Sequence, residues 1–113
     1  MIEDYTFGKI SIRGKIYHTD IKIINGAVYP DWWRKDGHAV DIEDIKDILE
    51  AKPDILVIGK GNSGYMEPTQ QLRDTLKELN IELVEEKTSK AVKIVNKLRH
   101  EGKNVAAGFH LTC

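Results

Sequence analysis

Residues 54–64 read DILVIGKGNSG, and they indicate the fold class of this 113-residue chain. Four apolar residues, Ile55 to Ile58, form an uninterrupted run that is typical of a strand covered on both faces. Three glycines follow with the spacing G-x-G-x-x-G, and a helical pattern comes after them. A buried strand that leads through a glycine loop towards a helix predicts an α/β domain.

The sequence beyond the glycine loop continues to alternate between helix and strand. Residues 54–111 therefore predict a β-α-β-α-β pattern, and such units are expected to be parallel with right-handed crossovers. The direction of the last strand stays open, and the sheet is mixed if that strand pairs the other way. The predicted elements after the first strand are a helix from Pro68 to Asn80, a strand over 81–84, a helix capped by Thr88 or Ser89 and ended by Gly102, and a strand over 104–111.

Residues 5–33 have a different pattern, because apolar β-formers surround tight-turn signals at Arg13-Gly14 and Asn25-Gly26. This pattern predicts antiparallel strands. Asp41 then predicts the N-cap of a short helix that joins the two parts of the chain. We predict a single α/β domain, residues 1–113, in which an N-terminal antiparallel meander precedes the β-α-β-α-β pattern.

The composition argues against several classes of partner. The chain has 17 basic and 18 acidic residues and a net charge of −1, so it lacks the basic footprint of a nucleic-acid-binding protein. No stretch approaches the roughly 20 apolar residues that cross a membrane. The first residues, MIEDYTFGKI, lack the apolar stretch of a signal peptide, and one cysteine suits a reducing compartment. We therefore expect a cytoplasmic protein that binds neither nucleic acid nor membrane.

The glycine loop, residues 59–64, is the first candidate site. A dinucleotide fingerprint needs its helix to begin inside the motif, whereas the predicted helix begins at Pro68. Glu85 or Glu86 could serve as the ribose-binding acid, but no second nucleotide half follows. Two alternatives stay open: a sharp turn that only glycine permits, and a small-anion site. The predicted ligand-binding residues are Gly59, Lys60, Gly61, Asn62, Ser63 and Gly64.

The sequence predicts no catalytic or metal-binding constellation. The four histidines show neither H-x-x-x-H nor H-E-x-x-H spacing, which gives zinc little support. His110 and Cys113 are three residues apart, and on one strand such positions point to opposite faces. Ser63 lacks the G-x-S-x-G elbow of a hydrolase nucleophile. We expect no metal and no cofactor, and we favour a protein that is not an enzyme.

A pair of adjacent tryptophans is the second candidate site. Neighbouring residues of an extended segment point to opposite sides, so if one tryptophan enters the core, the other faces solvent or a partner. The alternative is that both cover the edge of the sheet. An exposed tryptophan beside an arginine suits a protein interface, where both residue types are enriched. The predicted interface residues are Trp32, Trp33 and Arg34.

The order of five short segments resembles a known family of small domains. The segments are GKISIRGKIYHTDIKI, WWR, HAVDIEDI, PDILVIGKG and NVAAGFHLTC, and they span nearly the whole chain. The family includes an adipogenesis-associated cytosolic protein, the third of the numbered mitochondrial complex I assembly factors, and archaeal and bacterial domains of unknown function. The resemblance implies a three-layer α/β domain with a mixed central sheet and no established enzymatic activity. It supplies no catalytic residues, and the assembly role belongs to a mitochondrial context that we do not transfer.

These observations support two functional hypotheses. The first is a non-catalytic interaction or assembly module that binds another protein or a second copy of this chain and whose glycine-rich loop binds an anion or a carboxylate of the partner. A homodimer is plausible because a short edge strand or a tryptophan patch needs cover. The second hypothesis is an enzyme or sensor that binds a small phosphorylated or carboxylated metabolite, or a nucleotide, at residues 59–64.

Overall fold

Strands form most of the first forty residues, and strands and helices alternate after them. The structure is a computed structural model that describes residues 1–113. Its strands are β1 (Ile2–Thr6), β2 (Lys9–Ile12), β3 (Lys15–Tyr17), β4 (Ile21–Ile24), β5 (Ala27–Tyr29), β6 (Ala39–Val40), β7 (Ile55–Lys60), β8 (Glu67–Pro68), β9 (Glu82–Glu86) and β10 (Val105–His110). Its helices are α1 (Lys46–Ala51), α2 (Gln70–Glu78) and α3 (Thr88–His100), and a 3-10 turn (Ile42–Ile45) precedes α1.

The central sheet has five strands in the order β5-β4-β10-β7-β9. The last strand, β10, is parallel to β7 and antiparallel to β4, and β7 is parallel to β9. The sheet is therefore mixed because the hairpin β4–β5 joins it. This topology brings the carboxyl ends of β7, β9 and β10 and the amino end of β4 together. We call this side of the sheet the carboxyl edge.

The predicted N-terminal meander is divided between two sheets. Strands β1, β2 and β3 form a separate antiparallel sheet, while β4 and β5 belong to the central one. Both predicted tight turns are confirmed, since Arg13 and Gly14 have φ of 49° and 80°, and Asn25 and Gly26 have φ of 52° and 78°. Positive φ at both central positions is what a type I′ hairpin turn requires.

Two hydrophobic cores lie on opposite faces of the central sheet, because successive strand residues point to opposite faces. Val57 and Phe109 share one core with Val95 of α3 and with residues of β1 and β2. Leu56 shares the other with Leu72 of α2 and with residues of the 3-10 turn and α1. The chain is thus a three-layer α/β domain, as the sequence and the resemblance predict. None of its helices is long and apolar enough to cross a membrane.

The helix starts show which capping predictions hold. Asp41 caps the 3-10 turn in a capping box with Asp44, so this prediction is confirmed. The prediction that α2 begins at Pro68 is wrong, because Pro68 pairs with Val40 in the small parallel sheet β6–β8. The α2 helix begins two residues later, where the Thr69 hydroxyl accepts a hydrogen bond from the Leu72 N–H.

The third helix begins where the sequence indicates, but its cap is different. Its first residue is Thr88 and its N-cap is Lys87, whose side chain makes no capping hydrogen bond. The Thr88 hydroxyl is engaged elsewhere, and this explains why it does not cap the helix. The predicted left-handed residues after α2 and α3 are confirmed, with φ of 57° at Asn80 and 77° at Gly102.

Candidate functional site

Asp20, Arg34 and His110 form a charged cluster at the carboxyl edge. Asp20 lies there because it precedes Ile21, which pairs with Phe109 across the antiparallel β4–β10 ladder. Its Oδ2 lies 2.8 Å from His110 Nδ1 and accepts a 2.8 Å hydrogen bond from Arg34 Nη2. Its Oδ1 accepts a hydrogen bond from the Leu111 N–H. One carboxylate therefore joins the end of β10 to the segment that follows β5.

The hydrogen bonds determine the protonation of the charged cluster. Burial raises the pKa of Asp20, but hydrogen bonds from His110, the Leu111 N–H and Arg34 outweigh it and hold the pKa below its ordinary value of 3.8. Asp20 is therefore an ionised acceptor near neutral pH, and His110 Nδ1 carries the proton that it donates. Arg34 Nη2, 3.2 Å from His110 Nδ1, is a second donor to the same carboxylate oxygen.

Three nitrogens of the charged cluster are buried without any hydrogen-bond partner. They are Arg34 Nε, Arg34 Nη1 and His110 Nε2, and no other buried side-chain nitrogen or oxygen in the chain shares this condition. The remaining guanidinium nitrogen, Nη2, also donates to the Gly37 carbonyl at 3.0 Å. The guanidinium lies 4.5 Å from the centre of the Trp32 ring system. Unpaired buried polar groups are uncommon in native proteins and call for an explanation, such as water, an ion or a function.

The imidazole of His110 is covered on two sides. Gly61 lies so close that an added Cβ would sit 2.7 Å from His110 Cδ2. The His38 ring contacts His110 edge-on with ring centres 5.9 Å apart, and Tyr65 contacts His38 in the same way at 6.2 Å. Both His38 and Tyr65 are exposed. The surface cavities of the chain lie elsewhere, the largest being a volume of about 500 Å³ with mostly acidic lining near Lys35. The cluster is thus closed in this conformation.

The glycine loop serves chiefly to bring chain segments close together. At Gly59 an added Cβ would sit 2.6 Å from Phe109 and 2.9 Å from the Thr88 hydroxyl. Gly61 has φ of 97°, and its N–H donates to that hydroxyl at 2.9 Å. The Asn62 N–H donates to the Thr112 carbonyl at 2.7 Å. Two of the amides predicted to face an anion are therefore engaged inside the protein, whereas the Ser63 and Gly64 amides make no hydrogen bond within the chain.

Lys60 is paired within a network of four charges. Its ammonium lies 2.6 Å from Glu67 and 3.4 Å from Glu85, and Arg73 pairs with both carboxylates. The hydrogen bond to Glu67 is the main cause that raises the pKa of Lys60, and the hydrogen bond from Arg73 lowers the pKa of Glu85. The positive charge predicted to attract an anion is thus already balanced. Glu85, an acid considered for ribose binding, is engaged in the same network.

The tryptophan pair divides between core and solvent, which is one of the two alternatives that the sequence left open, but Arg34 does not lie where it was expected. Trp32 is buried, with its indole N–H donating to the Asp44 carbonyl at 2.9 Å. It packs so close to Gly108 that an added Cβ there would lie 2.7 Å from its ring. Trp33 is 77% exposed, and Arg34 is only 8% exposed. The placement of Arg34 beside an exposed tryptophan at the surface is wrong, because its charge pairs with Asp20 inside. Trp33 alone remains a surface residue of the predicted interface.

The charged cluster is not apparent from the sequence alone. Asp20 and His110 are 90 positions apart, and only the antiparallel pairing of β4 with β10 brings them together. The available signal was their position, since Asp20 immediately precedes one apolar strand and His110 ends another. Whether two polar residues at strand ends lie close together depends on the strand order, and the sequence left that order open.

The fold and the charged cluster together define a class of protein: a small three-layer α/β domain with a closed polar site at the carboxyl ends of its parallel strands. Residues 2–110 match the family described as protein of unknown function (DUF498/DUF598), and the chain belongs to that family. This confirms the family resemblance seen in the sequence at the level of the domain of unknown function.

Solved structures of similar proteins share the fold over nearly the whole chain. A protein called MT938 is 32% identical with a TM-score of 0.83, and the match covers 100% of this chain and 98% of that one. The conserved hypothetical protein PH1505 from Pyrococcus horikoshii OT3 is 26% identical with a TM-score of 0.86, covering 100% and 99%. A protein described as an outer membrane protein from Bartonella henselae is 26% identical with a TM-score of 0.83, covering 99% and 94%.

Proposed function

We propose that this protein is a non-catalytic protein-binding module whose contact with its partner centres on Trp33. The observation that carries the proposal is the 77% exposure of this side chain, the highest among the large exposed hydrophobic residues. Tryptophan is the residue type most enriched among those that dominate binding energy at protein interfaces. We therefore infer that the exposed indole of Trp33 is the anchor residue of an interface.

The segment around Trp33 is fixed before any partner binds. The Trp32 N–H donates to the Asp20 carbonyl at 2.9 Å, and the Trp32 indole donates to the Asp44 carbonyl. On the other side, Arg34 is held by the Asp20 carboxylate and by the Gly37 carbonyl. A pre-organised side chain loses little conformational entropy on binding, so the contact that it makes contributes more to affinity. The charged cluster thus supports the proposed interface from beneath.

The family resemblance supports the same proposal. The adipogenesis-associated protein and the complex I assembly factor named above suggest that this fold is used for protein contacts, and we extend that use to this chain. The partner is a different protein or a second copy of this one. A cytoplasmic location fits either partner, and it is part of the proposal.

The test compares two variants in parallel. Trp33→Ala removes the proposed anchor, and Leu79→Ala removes a 52% exposed residue that follows α2, away from the carboxyl edge, and serves as the matched control. A partner that co-purifies from the native host is purified, and its complex with this protein is reconstituted from the purified components. Self-association is measured by analytical ultracentrifugation. We expect Trp33→Ala to weaken the complex by about 2 kcal/mol or more, roughly thirtyfold, while Leu79→Ala leaves it intact. Equal affinity of Trp33→Ala and wild type would contradict the proposal.

A second candidate function rests on the glycine loop. The free amides of Ser63 and Gly64 point to a weak site for a small phosphorylated or carboxylated metabolite, the alternative that the sequence raised. The engaged amides of Gly61 and Asn62 and the paired charge of Lys60 make this candidate weaker than the interface. Amide NMR shifts of Ser63 and Gly64 during titration with inorganic phosphate test it directly, and unchanged shifts would exclude it.

A further inference from the structure

The three unpaired nitrogens of the charged cluster belong to two side chains that touch. Arg34 Nη2 lies 3.2 Å from His110 Nδ1, and the unpaired atoms lie on the remaining parts of the same two groups. Both residues are more than nine-tenths buried. Arg34 Nε and Nη1 are donors that need acceptors, and His110 Nε2 is an acceptor when the ring is neutral with its proton on Nδ1. The chain itself supplies neither kind of partner.

The charges of the cluster indicate which kind of ligand would supply the missing hydrogen-bond partners. Arg34 is positive and Asp20 is negative, so the cluster is neutral when His110 is neutral. A carboxylic acid that reaches His110 would pass its O–H proton to Nε2 and become a carboxylate. The carboxylate oxygens then accept from the new Nε2–H and from the free guanidinium N–H groups. Two positive and two negative charges balance in this state, whereas a phosphate dianion would leave one negative charge unbalanced.

The route to the cluster passes His38 and Tyr65. The His38 ring meets the rings of Tyr65 and His110 edge-on, and the His38 backbone is held because its carbonyl accepts a hydrogen bond from the Glu67 N–H. The side chains can therefore rotate away while the backbone stays in place. Gly61 also borders the His110 ring, and because it is a glycine it covers the ring with main chain and offers no side chain to displace there.

We propose that Arg34 and His110 form a closed binding site for a small carboxylate, which is reached when His38 and Tyr65 move aside. The site lies beneath the glycine loop and does not use the loop amides. Arg34 also anchors the segment that presents Trp33, but acetate binding and partner binding are measured separately, so either proposal can fail without the other. Asp20 holds both binding side chains in place through its shared oxygen.

The experiment titrates the protein with sodium acetate and follows the imidazole nitrogens by NMR. We expect His110 Nε2 to change from a bare to a protonated nitrogen, while Nδ1 stays bonded to Asp20. Calorimetry in two buffers of different ionisation enthalpy should show uptake of about one proton per acetate ion bound. The charged or titratable groups that face His110 are Asp20, Arg34 and His38, so His38→Gln is included to assign the proton.

Two variants separate binding from folding. His110→Asn keeps an amide donor towards Asp20 but lacks the outer nitrogen, and we expect acetate affinity to fall about tenfold or more. If His110→Asn does not fold, Arg34→Lys keeps the charge opposite Asp20 while removing Nε and Nη1, and the same loss is expected. Tyr65→Ala should speed acetate binding without weakening it.

The proposal is overturned by any of three results. One is that acetate binds the folded His110→Asn or Arg34→Lys variant as tightly as it binds wild type. Another is that acetate shifts only the Ser63 and Gly64 amides, which would place the anion on the loop. The third is that acetate shifts nothing, which would leave buried water as the partner of these nitrogens.

Discussion

The glycine loop and the charged cluster lie side by side at the carboxyl edge, and they differ in how much of their bonding capacity the protein uses. The loop is conspicuous in the sequence, yet its Gly61 and Asn62 amides and its lysine are engaged by neighbouring groups. The cluster leaves no motif in the sequence, yet it contains all of the chain's buried side-chain nitrogen and oxygen atoms that lack a hydrogen-bond partner. A motif with the spacing of a binding site can thus serve packing, while the unused chemistry lies in residues that only the fold brings together.

The largest expected effect comes from removing the charge at the centre of the cluster. Asp20→Asn leaves the Arg34 cation, whose side chain is 4% exposed, without its counter-ion. We expect a loss of about 3–5 kcal/mol in the free energy of unfolding, measured by urea denaturation at neutral pH. Glu50→Gln, which changes an exposed carboxylate, is the control.

The pH dependence of this difference checks its cause. Because the native pKa of Asp20 lies below 3.8, the wild-type protein keeps its advantage at all pH values above that level. The advantage should fall as the pH drops through the native pKa, since wild-type Asp20 then takes up a proton. A difference between the two proteins that stays constant into acid would show that the charge is not responsible.

The glycine loop gives the next largest effect. Gly61→Ala forces a side chain into φ of 97° and places its Cβ 2.7 Å from both His110 and the Thr112 carbonyl. Backbone strain and overpacking together should cost about 2–4 kcal/mol of unfolding free energy. Gly102→Ala is the matched control, because its φ is 77° but nothing lies within 4 Å, so only about 1–2 kcal/mol of strain is expected. Equal losses in the two variants would mean that Gly61 is needed for its φ alone.

Much of the fold could be predicted from the sequence, because its signals are local. The Asn25-Gly26 turn, the apolar run from Ile55 to Ile58 and the left-handed Asn80 each depend on neighbouring residues. The start of α2 was misplaced because two local signals compete there, and the Thr69 cap outweighs the preference of proline for a first turn. The split of the meander between two sheets depends on long-range pairing, which no local pattern in the sequence indicates.

The candidate sites were less predictable than the fold, because they depend on residues that are distant in the sequence. The division of Trp32 and Trp33 between core and solvent was one of two alternatives that the sequence left open, and the structure selects it. The burial of Arg34 depends on a carboxylate that the β4–β10 pairing places beside it, so its own sequence neighbourhood suggested a surface position. The roles of Gly59 and Gly61 depend on Phe109, Thr88 and His110, which lie 27 or more positions away in the chain.

The central claim is that the charged cluster and its neighbours hold the segment that presents Trp33. Amide hydrogen exchange of the wild-type protein tests this claim most directly, because the Trp32 N–H donates to the Asp20 carbonyl while the Trp33 side chain remains in solvent. We predict that the Trp32 amide and its indole N–H exchange as slowly as the amides in the middle of β10. Exchange of the Trp32 amide at the rate of an exposed turn would contradict the account, because Trp33 would then lie on a mobile segment rather than on an anchored one.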